Sequence, residues 1–147
     1  MNAVRIQRED FDIGAELDVL AGGRNDVGAV VTFTGHVRGD ANLTALTLEH
    51  YPGMTEREIA SHVHEAEQRW PLTGVIIVHR IGRLEPGARI VLVATASSHR
   101  QAAFAAAEFL MDYLKTHAPF WKEEERGGSK SWVAAKDTDE DAVQRWR

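Results

Sequence analysis

The chain has 147 residues, 44% hydrophobic and 27% charged, which fits one globular domain over residues 1–147. Its formal net charge of −5 argues against a general nucleic-acid surface, which carries a basic stripe, so a bound anion must be met by a local group of cations. The absence of cysteine excludes disulfides, zinc–thiolate sites and a cysteine nucleophile or persulfide carrier. Sulfur chemistry, if it occurs here, needs sulfur delivered on another molecule. No apolar run approaches the ~20 residues of a membrane helix, and the first residues, MNAVRIQREDFD, lack a signal-peptide pattern. A cytoplasmic protein without a membrane partner is expected.

Residues 4–7 read as a short first strand, and Asp12 is placed to cap a helix running to residue 20, where Gly22-Gly23 ends it. The β-branched run VGAVVTFTGHV over 27–37 predicts a buried strand. Residues 43–51 predict a half-buried strand, with RGDAN as the loop between the two. Thr55-Glu56-Arg57-Glu58 matches a capping box and opens a helix to residue 70, with Ile59, Val63, Ala66 and Trp70 on one stripe. Pro71 stops it. Strands over 75–81 and 89–96 follow, joined by the turn Leu84-Glu85-Pro86-Gly87.

Ser97 and Ser98 are placed to cap the longest helix, 99–117, whose alanines favour helix and close packing. Strands over 120–125 and 130–135 flank Gly127-Gly128, and the last ten residues form a polar helix or tail. Strand pairs joined by short turns predict an α+β fold with mixed and antiparallel strands rather than a doubly wound sheet.

Three stretches can carry chemistry. Ser98-His99-Arg100 sits at a helix N-terminus, where unpaired N–H groups and the dipole favour an anion and an arginine adds a bidentate fork. A solvated arginine beside a surface histidine fits the local pattern equally well. Arg38 lies where a buried strand ends in a glycine-flanked loop, Thr34-Gly35-His36-Val37-Arg38-Gly39-Asp40; a strand end closed by polar residues is the alternative.

The third stretch is MDYLKTHAPFWKEEE, residues 111–125. Met111 and Lys115 share a helix face, Pro119 forbids further helix, and an extended continuation points Phe120, Lys122 and Glu124 to one side. This corner can bring Lys115 and Lys122 to one cavity. Two ammonium groups there would depress each other's pKa from the ordinary ~10.4, and Glu124 could orient one of them. Lysines snorkelling from an aromatic surface are the alternative. His50 and His79 read as core or edge residues of strands, and no residue set has metal-ligand spacing. A P-loop or dinucleotide glycine motif is absent.

Together the blocks VTFTGHVRG (31–39), LTLEHYPGMTE (46–56), RIGRLEPG (80–87), SSHRQAAFAAAEFLMDYLKTHAPFWKEE (97–124) and SWVAA (131–135) resemble the large, catalytic subunits of molybdopterin synthase, the MoaE family. The resemblance implies an α/β hammerhead fold, a homodimer within a heterotetramer, and a small ubiquitin-like partner. That partner's thiocarboxylated Gly-Gly tail supplies sulfur to cyclic pyranopterin monophosphate (precursor Z), giving molybdopterin for molybdenum cofactor biosynthesis. No bound cofactor or metal is implied.

By position in those blocks, Lys115 and Lys122 resemble the catalytic lysines. Arg38, His99 and Arg100 resemble the group that anchors the substrate phosphate, with His36, Val37, Glu123 and Glu124 beside it. Phe33 and Met111 resemble pocket-lining residues, and Lys136 a basic residue that reaches a neighbouring subunit. His36 stands where the family often has lysine, the 39–43 loop is short, and the 123–131 segment is a variant of its own. A non-catalytic dimer that binds a phosphorylated pterin or a ubiquitin-like tail is the rival function.

Overall fold

The computed structural model describes residues 2–40, 42–133 and 137–147. Among them two four-stranded sheets carry the architecture. The first contains β1 (Asn2–Gln7), β4 (Leu72–Arg80), β6 (Arg89–Ser97) and β2 (Ala29–His36), in the order β1-β4-β6-β2. Only β1 and β4 run parallel; the other neighbours are antiparallel. The second sheet is antiparallel throughout, in the order β5-β3-β7-β8, from β5 (Gly82–Leu84), β3 (Leu43–His50), β7 (Phe120–Arg126) and β8 (Ser129–Trp132). The mixed and antiparallel strands expected of the α+β class are present.

The first sheet is covered on both faces, which explains why VIIV in β4 and VLVA in β6 are continuous apolar runs rather than alternating ones. Period two sorts them. Val75, Ile77, Val91 and Val93 pack on one side with Ile59, Val63, Phe109, Leu110 and Tyr113, which come from α2 (Met54–Arg69) and α3 (Arg100–Thr116). Ile76, Val78, Leu92 and Ala94 pack on the other side with Leu20 of α1 (Ile13–Ala21) and Phe11. Val37, Leu48 and Leu84 form a smaller core under the second sheet.

Several local expectations change. Asp12 caps α1 as read, its Oδ1 accepting from the Ala15 N–H at 3.0 Å. Thr55, however, does not cap α2. The N-cap is Gly53, at φ +83°, and Glu56 Oε1 accepts from its N–H at 2.9 Å. Thr55, fully buried, serves the proline corner instead: its hydroxyl donates to the Pro119 carbonyl at 3.0 Å and accepts from the Tyr51 N–H at 3.0 Å. Thr55→Val should strand both backbone groups and cost about 1–3 kcal/mol. A fall of several degrees in Tm is the expected readout, and an unchanged Tm would remove this tether from the account.

Ser98 does not cap α3 either. His99 is its N-cap without a side-chain cap bond, while Ser97 Oγ accepts from the His99 N–H at 3.3 Å and donates to the Pro71 carbonyl at 2.7 Å. The three-residue β5 is too short to give a periodicity signal and is an addition to the expected elements. At the β7–β8 turn Gly127 and Gly128 both have positive φ (53° and 86°), as a tight two-residue hairpin requires.

Of the two forms expected for the C-terminal segment, helix or tail, it takes the helix. It contains α4 (Asp137–Gln144), buries Val143 completely, and is clamped to α3. Arg145 donates to Glu108 at 2.8 Å and to Asp112 at 2.6 Å, and the Trp146 indole N–H donates to Asp112 at 2.7 Å. These bonds tie down the helix whose last turn carries Lys115.

Candidate active site

Helix α3 ends at Thr116 because Pro119 cannot extend it; the His117 N–H still reaches the Tyr113 carbonyl at 2.7 Å. The Phe120 N–H then bonds the Ala118 carbonyl at 2.8 Å, and the chain reverses into β7. The reversal brings Lys115, from the last helical turn, and Lys122, from β7, to the rim of one cavity of about 60 Å3. Met111, one turn before Lys115, lines it, as do Leu114, Ile90 and Val91. Lys115 is exposed and Lys122 half-buried, so the ammonium groups sit between an apolar wall and solvent.

His79 is buried, as its reading as a core or edge residue expects, and it also lines this cavity. It is 8% exposed, stacks on Phe120 with centroids 3.9 Å apart and an interplanar angle of 18°, and its Nδ1 lies 2.8 Å from the Arg80 carbonyl oxygen. A signal was available: His79 continues the Val75, Ile77 face of β4, which packs towards α3.

Burial pushes the His79 pKa down to about 4; the Arg80 carbonyl opposes the shift, and the charges of Lys122, Lys115 and His50 add to it. In the unfolded chain a histidine takes up its proton near 6.5. As pH falls the unfolded chain therefore binds this proton first. The contribution is complete above about 6.5 and is lost as pH falls through about 4. Denaturant titrations from pH 7.5 to 4 should show a His79-dependent loss of roughly 3 kcal/mol. His79→Phe should remove that part of the slope, and an unaltered slope would contradict the buried neutral ring.

A second, more open recess of about 190 Å3 shares Lys122 and Ile90 with the first cavity. His36, Val37, Arg38, Glu124 and Arg126 lie around it. Val37 fixes this strand end: its N–H donates to the Ala88 carbonyl and its carbonyl accepts from the Gly87 N–H, both at 2.8 Å. His36 Nδ1 approaches the Gly87 oxygen at 3.4 Å. Arg126, which sequence reasoning did not single out, pairs with both Asp40 and Glu124. Asp40, next to that guanidinium, is held below the usual carboxylate range. Glu124 is thus engaged by Arg126 while flanking Lys122.

Other predicted residues lie elsewhere. Glu123 projects from the opposite face of β7 to Lys122 and Glu124 and lines neither recess. Phe33 is 40% exposed on β2 and also lines neither. Lys136 lies outside the described residues. His99 and Arg100 stand at the start of α3 and Lys115 at its end. Fifteen residues at 1.5 Å each separate Arg100 from Lys115 by roughly 22 Å along the axis. One chain therefore does not gather all the predicted anchoring groups in one place.

The fold and site define a small two-sheet α+β protein that offers cations around a partly apolar, anion-sized recess. Comparison with known proteins narrows this further. The chain belongs to the MoaE protein family, whose model matches residues 6–117. A curated relative from Mesorhizobium japonicum, "Molybdopterin synthase catalytic subunit", is 58% identical, covering 98% of this chain and 92% of its own. The solved "Molybdopterin biosynthesis MoaE protein" from Burkholderia ambifaria superposes with a TM-score of 0.86 at 49% identity, over 99% of this chain and 98% of the other. Molybdopterin synthase from Staphylococcus aureus gives 0.79 at 34% identity, over 88% and 95%.

Proposed function

We propose that the chain is the catalytic subunit of a molybdopterin synthase. It takes sulfur from the thiocarboxylated Gly-Gly terminus of a small ubiquitin-like subunit and adds it to precursor Z, in two transfers per product. The observation that carries this reading is the convergence of Lys115 and Lys122 on one cavity, next to the recess that holds Arg38. A thiocarboxylate and a phosphate are both anions, and the net charge of −5 makes this local group of cations the place to receive them. Lysines at the rim supply protons and stabilise charge that develops as sulfur adds. The chain has no cysteine, which agrees with sulfur arriving on the partner.

The protein works as a homodimer, with the small subunits completing a heterotetramer. His99 and Arg100 of one copy complete the pocket of the other. Support comes from the long separation along α3 and from exposed apolar side chains near its start. Phe104, one turn after Arg100, is 61% exposed, and α3 packs against the edge strand β2, where Val30 and Phe33 are exposed. Incubating the chain with precursor Z and the thiocarboxylated partner, and assaying for the dithiolene product, tests the reading. Binding of both without conversion would favour the non-catalytic dimer.

A further inference from the structure

We propose that Arg126 is a positioning residue of the open recess: it engages Asp40 and Glu124, the two carboxylates that border the recess, and so leaves Arg38 uncommitted and the recess net cationic for the substrate's phosphate. The inference rests on the synthase reading above. Among the described residues around the recess, three cations, Arg38, Lys122 and Arg126, stand against the two carboxylates of Asp40 and Glu124. With histidine taken as neutral at pH 7, the recess carries a positive surplus; without Arg126 the two signs balance. The Arg126 guanidinium pairs with both carboxylates. Arg38, exposed at the same rim, has no carboxylate partner among the described residues.

Strand register produces this arrangement. Arg126 ends β7 opposite Leu43, the first residue of β3, and Glu124 lies opposite Leu46. Two residues apart on one strand, Glu124 and Arg126 project from the same face, where they pair. Asp40 lies in the short loop that leads from Arg38 into β3, and its Oδ1 also accepts from the Leu43 N–H at 3.2 Å. The carboxylate nearest to Arg38 in sequence is therefore held from two sides. The Arg126 side chain is 40% exposed, and an ion pair so open to solvent contributes little to folding. Its consequence lies in the local field. A carboxylate released towards Arg38 would compete with the incoming phosphate for the same guanidinium fork.

The test uses three full-length variants, assayed with precursor Z and thiocarboxylated partner. Arg126→Gln should raise KM for precursor Z roughly 3- to 10-fold with kcat within about twofold, the scale of one unit charge at a solvent-screened rim. Arg126→Lys keeps the charge and should stay within about twofold of wild type in both constants. Arg126→Gln combined with Asp40→Asn restores the positive surplus and leaves an acceptor oxygen for the Leu43 N–H, so it should recover most of the lost KM. The gap between wild type and Arg126→Gln should narrow as NaCl rises from about 0.05 to 0.5 M, because the screening length falls. A loss caused only by a displaced loop would not respond to salt. An unchanged KM in Arg126→Gln, a salt-independent loss, a lysine variant as impaired as the glutamine one, or a double variant no better than the single would each overturn the proposal. A wild-type protein that leaves precursor Z unconverted would sink the synthase reading. The order of inorganic-phosphate affinities across the same variants, read from the Arg38 guanidinium NMR signal, would still decide the role of Arg126.

Discussion

Lys115→Ala is expected to lower turnover by roughly 10³-fold while leaving the partner complex intact. The estimate combines loss of a proton-transfer group, worth about 10²–10⁴-fold, with loss of a charge placed where an anion develops. Folding should survive, because Lys115 is exposed. Its main structural service is as the basic residue in the last turn of α3, a dipole contact worth about 0.3–1 kcal/mol. The apolar cavity wall and the clamp from Arg145 and Trp146 onto α3 are untouched. Single-turnover assays with thiocarboxylated partner, alongside a binding measurement, separate the two roles. Near-normal turnover would end the catalytic assignment; lost partner binding with intact single-turnover chemistry at saturation would make Lys115 a docking residue.

Much of this site is legible in the amino-acid sequence. The proline at 119 forces a corner, and period two on the strand beyond it puts Phe120, Lys122 and Glu124 on one side. What the corner faces is a tertiary matter. A histidine in an apolar strand has the same sequence signature whether it fills a core or floors a cavity, so His79 reads as a core or edge residue although its period-two position aims it at α3. Pattern matching alone also misplaces the α2 cap. Thr55-Glu56-Arg57-Glu58 fits the capping pattern, yet the cap lies two residues earlier because Gly53 adopts a positive φ and Glu56 reaches back to its N–H. Thr55 is thereby left for the Pro119 corner, a contact 64 residues away in sequence that no local pattern encodes. The spread of the anchoring groups is legible, since helix rise alone keeps Arg100 and Lys115 apart.

That separation makes a second expected result stringent. Arg100→Ala should reduce kcat/KM for precursor Z by roughly 10²-fold, as a bidentate contact to phosphate is lost. Mixed with Lys115→Ala in a reassembled dimer, it should regain activity. In the mixed dimer, one pocket combines the intact Lys115 of one copy with the intact Arg100 of the other, and the second pocket lacks both. Random pairing of equal amounts makes half the dimers mixed, so about a quarter of all sites should work. Recovery to that level, from two variants each nearly inactive alone, requires the pocket to be shared between copies. Exchange is monitored with differently tagged chains, so that failure to mix is not mistaken for failure to complement. If mixed dimers form and activity stays at the single-variant level, His99 and Arg100 do not serve the neighbouring pocket. Arg38 and Arg126, which lie around the recess in the same chain as Lys122, would then be the cations left to hold the phosphate.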